Sequence, residues 1–482
     1  MVCLSFLSPQ FFGFFLVTAL VFLLLPRRMQ NPWLLLASWF FYLCARPVYL
    51  LFLLFAILST YLTALLLERC KSRGALAGCL VLNGGLLFLF KYLNFALELA
   101  GRGLGALGFQ FSATALDLIL PLGISFYTFQ AMGYVVDVYR GKVAAERNFL
   151  LHALFLSFFP QLASGPIGRA GDLLPQFKAE HRFDYDDFRS GLLRFLWGAF
   201  KKMVLADRLA VLVDTVFKTP GDFGAVQLIG AAVAFSLQIY CDFSAYSDMA
   251  VGTARAMGFR LMENFRTPYF SRSIAEFWRR WHISLSSWFR DYLYFPLGGS
   301  RRGTARKYLN LLIVFAISGL WHGAALTFVA WGLLNGLYQV AGGATKPMRG
   351  KLRACLRLKD DSPVTALLQV LFTFSLTTLA WVFFKAGSFT QALSVLSGMV
   401  RGPLWAFTSM GLDRWELLAA FCGVLLLLGV DLLSLRQSME ERYLALPRPA
   451  RWAVLWCLLF AVLLFGSYGT GYDAQSFIYV KF

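Results

Sequence analysis

A chain of 482 residues that is 58% hydrophobic, carries 49 phenylalanines and is only 15% charged holds more apolar surface than a soluble domain can bury, which excludes an ordinary globular enzyme. The formal net charge of +19 does not make it a nucleic-acid binder. The basic residues cluster between apolar runs and not along one polar face, as cytoplasmic loops do under the positive-inside rule. The partner that this composition demands is the lipid bilayer, and no nucleic acid is expected.

Apolar runs lie near residues 11–25, 33–43, 47–67, 75–90, 113–136, 149–159, 191–217, 226–250, 309–341, 364–384, 417–433 and 452–465. Against the roughly 20 residues of one span, they predict an all-α polytopic membrane protein with about ten to twelve transmembrane helices. The first run has no basic residue before it and is followed by Arg27 and Arg28, so it reads as a retained anchor with its N-terminus outside. Arg69, Lys71 and Arg73, and then Arg140, Lys142 and Arg147, fall inside if each intervening segment crosses once. No linker or internal repeat divides the chain, so residues 1–482 are expected to form a single membrane domain.

Residues 148–167 break the alternation. Both flanks are basic, and the short apolar core ends at Pro160 and at Gly165-Pro166, which predicts a re-entrant or interfacial segment and not a crossing. A second such element spans 255–307, rich in Arg, Trp and Tyr but without a clean apolar span. Within it, residues 276–294 read as one amphipathic helix, with Trp278, His282, Leu285, Phe289 and Tyr292 on a single face at helical spacing. On that pattern His282 is equally a functional group and an interfacial histidine that merely hydrogen-bonds.

His322 is one of four histidines and sits about midway along the apolar stretch 308–341, in the run Trp321-His322-Gly323. An imidazole in hydrocarbon is costly, and the stretch is too long for one ordinary span, so the backbone is expected to break or bend there. A neutral imidazole beside irregular backbone suits a general base; the alternative is a polar contact between helices that Gly319 and Gly323 bring close. Asp242 and Asp248 end the run before residue 250 and read mainly as partners for nearby arginines. His181 and Asp186 have the His-x4-Asp spacing of soluble-type glycerolipid acyltransferases, but one such spacing in a polar stretch is chance. The eight cysteines are scattered, without paired spacing, and no metal site is expected.

The motifs LPLGISFYTF (120–129), FPQLASGPI (159–167), QIYCDFSAYSD (238–248), ENFRTPY (263–269), the block 278–299 and WHG (321–323) together resemble the membrane-bound O-acyltransferase family, in its order and over most of the chain. The ending DYLYFPLGG (291–299) looks most like its alginate-acetylating branch, with the teichoic acid D-alanylating branch the nearest alternative. The resemblance implies re-entrant and interfacial helices around a central tunnel in a bacterial plasma-membrane protein, His322 as the invariant family histidine, and His282 as a second, more variable functional position. It also implies transfer of an acyl, most simply acetyl, group from a cytosolic thioester to an extracytoplasmic acceptor. No tightly bound cofactor is then expected, because acetyl-CoA or an acyl carrier pantetheine is a substrate. The expected partners are an extracytoplasmic polysaccharide acetyltransferase-like protein and an acyl carrier protein. Arg279, Arg280, Arg301 and Arg302 could attract donor phosphates, or only anchor the inner face. The tail 477–482 is similar to an aromatic tail of this branch, with Val480 standing where an aromatic is common. A transporter or flippase is the reading from a different class, since broken helices and intramembrane charges also mark transport pathways.

Overall fold

In the computed structural model, residues 4–109, 116, 118, 120–355, 362–468 and 477 are described. Every regular element among them is helical. Among the described residues, six helices are long and apolar enough to cross a membrane: Tyr49–Cys70, Arg73–Lys91, Ala225–Ala256, Pro363–Lys385, Arg414–Ser434 and Arg448–Phe465, with Pro9–Leu24 a shorter apolar helix. This is fewer than the ten to twelve expected from the apolar runs. Run 149–159 becomes two short helices, and run 191–217 passes through a π-helical turn, Lys201–Ala206, with Lys201 and Lys202 buried. Most of the tail 477–482 lies outside the described residues.

The chain divides into two compact units. The first comprises Met1–Gly191, Ala250–Met262 and Asp473–Phe482. Three of its helices start where a side chain accepts from orphan backbone N–H groups: Ser8 takes Phe11 N–H, Ser72 takes Ala75 N–H, and Asn148 takes those of Leu150 and Leu151. The helix Phe149–Ser157 is nine residues long, roughly 14 Å against a hydrocarbon core of about 30 Å. Lys178 Nζ lies 2.6 Å from Glu146 Oε2, so the two flanks of segment 148–167 meet. Residues 146 and 178 thus stand side by side, as the re-entrant reading of 148–167 expects.

The second unit comprises Leu192–Met249 and Glu263–Tyr472. Its closest packing is a helical hairpin, Thr304–His322 and Leu326–Ala344. A Cβ on Gly319 would stand 2.2 Å from the Phe328 carbonyl oxygen, and one on Gly332 would stand 2.2 Å from the Phe315 carbonyl oxygen. Each helix thus rests a glycine on the other's backbone, the small-residue contact that lets membrane helices approach.

Candidate active site

The hairpin breaks where the sequence predicts. Thr304–His322 ends with His322 as its last helical residue, Gly323 is extended, and the next helix begins at Leu326. Glycine is required at 323 for space and not for its backbone angles, because a Cβ there would come within 2.1 Å of the Phe328 ring. His322 is buried among aromatics, its ring centroid 5.0 Å from those of Trp321 and Trp331 and 5.5 Å from Phe384. Wide hydrocarbon walls of this kind exclude water from whatever reacts beside the imidazole.

His282 corrects the sequence expectation. Residues 276–294 do not form one amphipathic helix; they form Ile274–Arg280, a left-handed residue at His282 (φ 44, ψ 55), Ile283–Phe289 and a π-helical turn Arg290–Tyr294. The physical cause is competition for backbone hydrogen bonds by the ENFRTPY segment: Ile283 N–H donates to the Asn264 carbonyl at 2.9 Å, and Arg266 N–H donates to the Arg280 carbonyl at 2.9 Å. Those bonds replace helical ones at the break. A left-handed histidine costs on the order of 1–2 kcal/mol, and the exchanged bonds offset it. The helical spacing seen in the sequence arose because Trp278, Leu285 and Phe289, each buried, sit in two short helices that each have one inner face.

His282 is fully buried, with its Nδ1 3.1 Å from Asn264 Oδ1 and its ring against the edge of Phe243 at 4.6 Å. Burial lowers its pKa to about 3, so it is neutral at physiological pH. Its ring centroid lies 6.4 Å from that of His322. The structure therefore brings together the two histidines that sequence reasoning singled out, within one unit. The other two are in the first unit. His152 Nε2 is 3.0 Å from Thr60 Oγ1. His181 donates Nε2–H to the Gln176 carbonyl at 2.8 Å, its ring is 4.1 Å from that of Phe259, and Asp186 pairs with Arg189. The His-x4-Asp spacing thus assembles no joint site.

Asp242 and Asp248 do pair with cations, but the cations are mostly lysines. Lys202 Nζ lies 2.7 Å from Asp242 and 2.8 Å from Asp207; Lys201 Nζ lies 2.5 Å from Asp248 and 2.6 Å from Ser244 Oγ. Arg194 bridges Asp248, at 3.0 Å, and Glu263, which it grips through both terminal nitrogens. Sequence reasoning missed the residue beside this network, Asn264, which contacts His282 directly. The one sequence signal was its place beside Glu263 at the start of ENFRTPY. It also missed Trp281, Trp331 and Trp381, packed near the histidines with Trp281 tilted against Trp381 at 5.1 Å and Trp331 stacked on Trp381 at 5.2 Å. No cluster of His, Cys, Asp and Glu able to hold a metal occurs among the described residues.

The family model of the membrane-bound O-acyltransferases matches residues 144–389, a stretch that contains both histidines and their partners. The chain belongs to the membrane-bound O-acyltransferase family. It is 37% identical over 443 residues to a probable alginate O-acetylase of Pseudomonas aeruginosa, covering 90% of this chain and 80% of that protein. It is 37% identical over 433 residues to a peptidoglycan O-acetyltransferase of Helicobacter pylori, covering 82% and 80%. A teichoic acid D-alanyltransferase of Bacillus subtilis is 29% identical over 233 residues, covering 45% and 58%. As a membrane-bound O-acyltransferase with six apolar helices among the described residues long enough to span, the protein is a multi-pass membrane enzyme.

Proposed function

We propose that the protein, as a single membrane domain, moves an acetyl group from a cytosolic thioester toward hydroxyls of an extracytoplasmic polysaccharide, directly or through a partner acetyltransferase-like protein. The observation that carries this reading is the buried pair His282 and His322, 6.4 Å apart between ring centroids within an aromatic enclosure. A thioester is already activated, so the enzyme must position it, remove a proton from the attacking hydroxyl and keep water away. His322 takes that proton as general base. The hydroxyl oxygen forms its bond to the acyl carbon, the carbon–sulfur bond breaks, and the departing thiolate recovers the proton from the imidazolium. His282, neutral and fixed in place, holds the donor or acceptor or relays the proton. No covalent nucleophile and no resident cofactor is needed.

Acetyl-CoA or an acyl carrier pantetheine fits as donor. Arg279, Arg301 and Arg302 are exposed cations that could meet its phosphates, whereas Arg280 is engaged by Glu276 at 2.7 Å. Acetyl transfer is favoured over D-alanyl transfer because similarity to the acetylating relatives is 37% over 82–90% of the chain, whereas similarity to the D-alanylating relatives is 27–29% over 45–56% of it. The test is His322→Ala in proteoliposomes. Acyl transfer should fall about 10²- to 10⁴-fold at unchanged membrane abundance, and near-wild-type transfer defeats the proposal. Supplying acetyl and D-alanyl thioesters side by side separates the two branches.

A further inference from the structure

Asn264 holds both the backbone and the ring of His282. Its carbonyl accepts Ile283 N–H at 2.9 Å, while its side-chain Oδ1 lies 3.2 Å from Ser284 N, 2.9 Å from Ser284 Oγ and 3.1 Å from His282 Nδ1. The orientation of the amide is decided by its surroundings. Ser284 N–H is a backbone donor and can only meet an oxygen, and the opposite end of the amide, Nδ2, donates to Ser247 Oγ at 3.0 Å. An amide oxygen has no proton to give, so the imidazole nitrogen facing it must carry one.

We infer that Asn264 is a positioning residue that locks His282 in the tautomer protonated at Nδ1, leaving Nε2 as the ring's lone-pair nitrogen. Neutral His282 can then accept a hydrogen bond or a proton through Nε2 and cannot donate through it. In the reaction it accepts a hydrogen bond from the donor or acceptor while His322 takes the hydroxyl proton, which divides labour between the two rings. The lock is mounted on the buried ion network: Ser247, which takes the Asn264 amide, precedes Asp248, and Glu263 precedes Asn264, and both carboxylates are held by Arg194. The ions thereby act on chemistry only through the segment they pin. This inference rests on the proposed role of His282, but its first test does not.

The full-length protein, labelled with ¹⁵N at the histidine imidazoles and reconstituted in lipid, reports the tautomer of each ring by solid-state NMR, with the His282 signals assigned by their loss in His282→Gln. The expected result is the Nδ1–H form in the wild type, its loss or mixing in Asn264→Leu, and its retention in Asn264→Asp, which keeps an acceptor. On activity, Asn264→Leu should lower kcat about 10- to 100-fold with KM for the donor little changed, and Asn264→Asp should recover most of kcat. A wild-type ring in the Nε2–H form, or one unaffected by Asn264→Leu, overturns the tautomer assignment even if no variant is assayed. Loss of the tautomer in Asn264→Leu with kcat unchanged overturns the functional half, and a low kcat in Asn264→Asp despite a retained tautomer overturns it as well.

Discussion

Gly319→Ala tests whether the hairpin holds His322 in register. The added Cβ would stand 2.2 Å from the Phe328 carbonyl oxygen and 3.2 Å from Val329 Cα. Backbone atoms cannot rotate away as the tip of a side chain can. Reaching an ordinary contact of about 3.4 Å requires the two helices to part by roughly 1.2 Å, the difference between those two distances. Overpacking of this kind costs about 1–3 kcal/mol, of which about 1 kcal/mol is returned by the better helix propensity of alanine. Net stability should therefore drop by no more than about 2 kcal/mol. Activity should suffer more, because His322 lies three residues after Gly319 at the end of the same helix and packs against Trp331 on the facing one. A displacement near 1 Å at a reacting group costs on the order of 10²-fold in rate. The assay is acyl transfer per amount of folded protein in proteoliposomes, read beside the melting temperature in detergent. Gly342→Ala on the facing helix is the control, since no atom lies within 4 Å of its Cβ position, and it should match wild type or be slightly more stable. Gly319→Ala with wild-type transfer would refute the reasoning, whatever its melting temperature.

Lys202→Met should take the Lys202 cation from the buried Asp242 and the half-buried Asp207 and cost about 3–5 kcal/mol, seen as reduced folded protein in the membrane; abundance and melting temperature equal to wild type would contradict it. Burial depresses His152 and His282 to about 3, while in the unfolded chain they titrate near 6.5. The unfolded state therefore binds more protons between those values, and stability should be full above about pH 6.5 and fall as pH drops below it. Melting temperatures from pH 7.5 to 5 check this, and a flat profile would refute it. Impermeant labelling of single cysteines placed near Lys142 and near Lys178, with both lysines kept, should mark both on the cytoplasmic face, because the Glu146–Lys178 ion pair closes the segment between them; labelling from opposite faces would make it a true crossing.

Composition and periodicity alone determined the solvent and the class: so much apolar sequence can be accommodated only in hydrocarbon, where helices satisfy their own backbone. They also located two local irregularities, the break at Trp321-His322-Gly323 and the short segment 148–167, because both follow from span length and from glycine and proline acting within a few residues. Burial of carboxylates at 242 and 248 implied cations nearby for the same elementary reason. Tertiary structure decided the rest of the site. The helical period of 276–294 fits two short helices as well as one long one, and only the hydrogen bonds offered by Asn264 and Arg266 select the break that turns His282 left-handed. That the cations would be Lys201 and Lys202, and that His282 would lie beside His322, depends on how separate helices pack. Spacing along one helix carries information about its own faces, whereas contacts between elements are set by the competition of many side chains for one interior, which no single segment encodes.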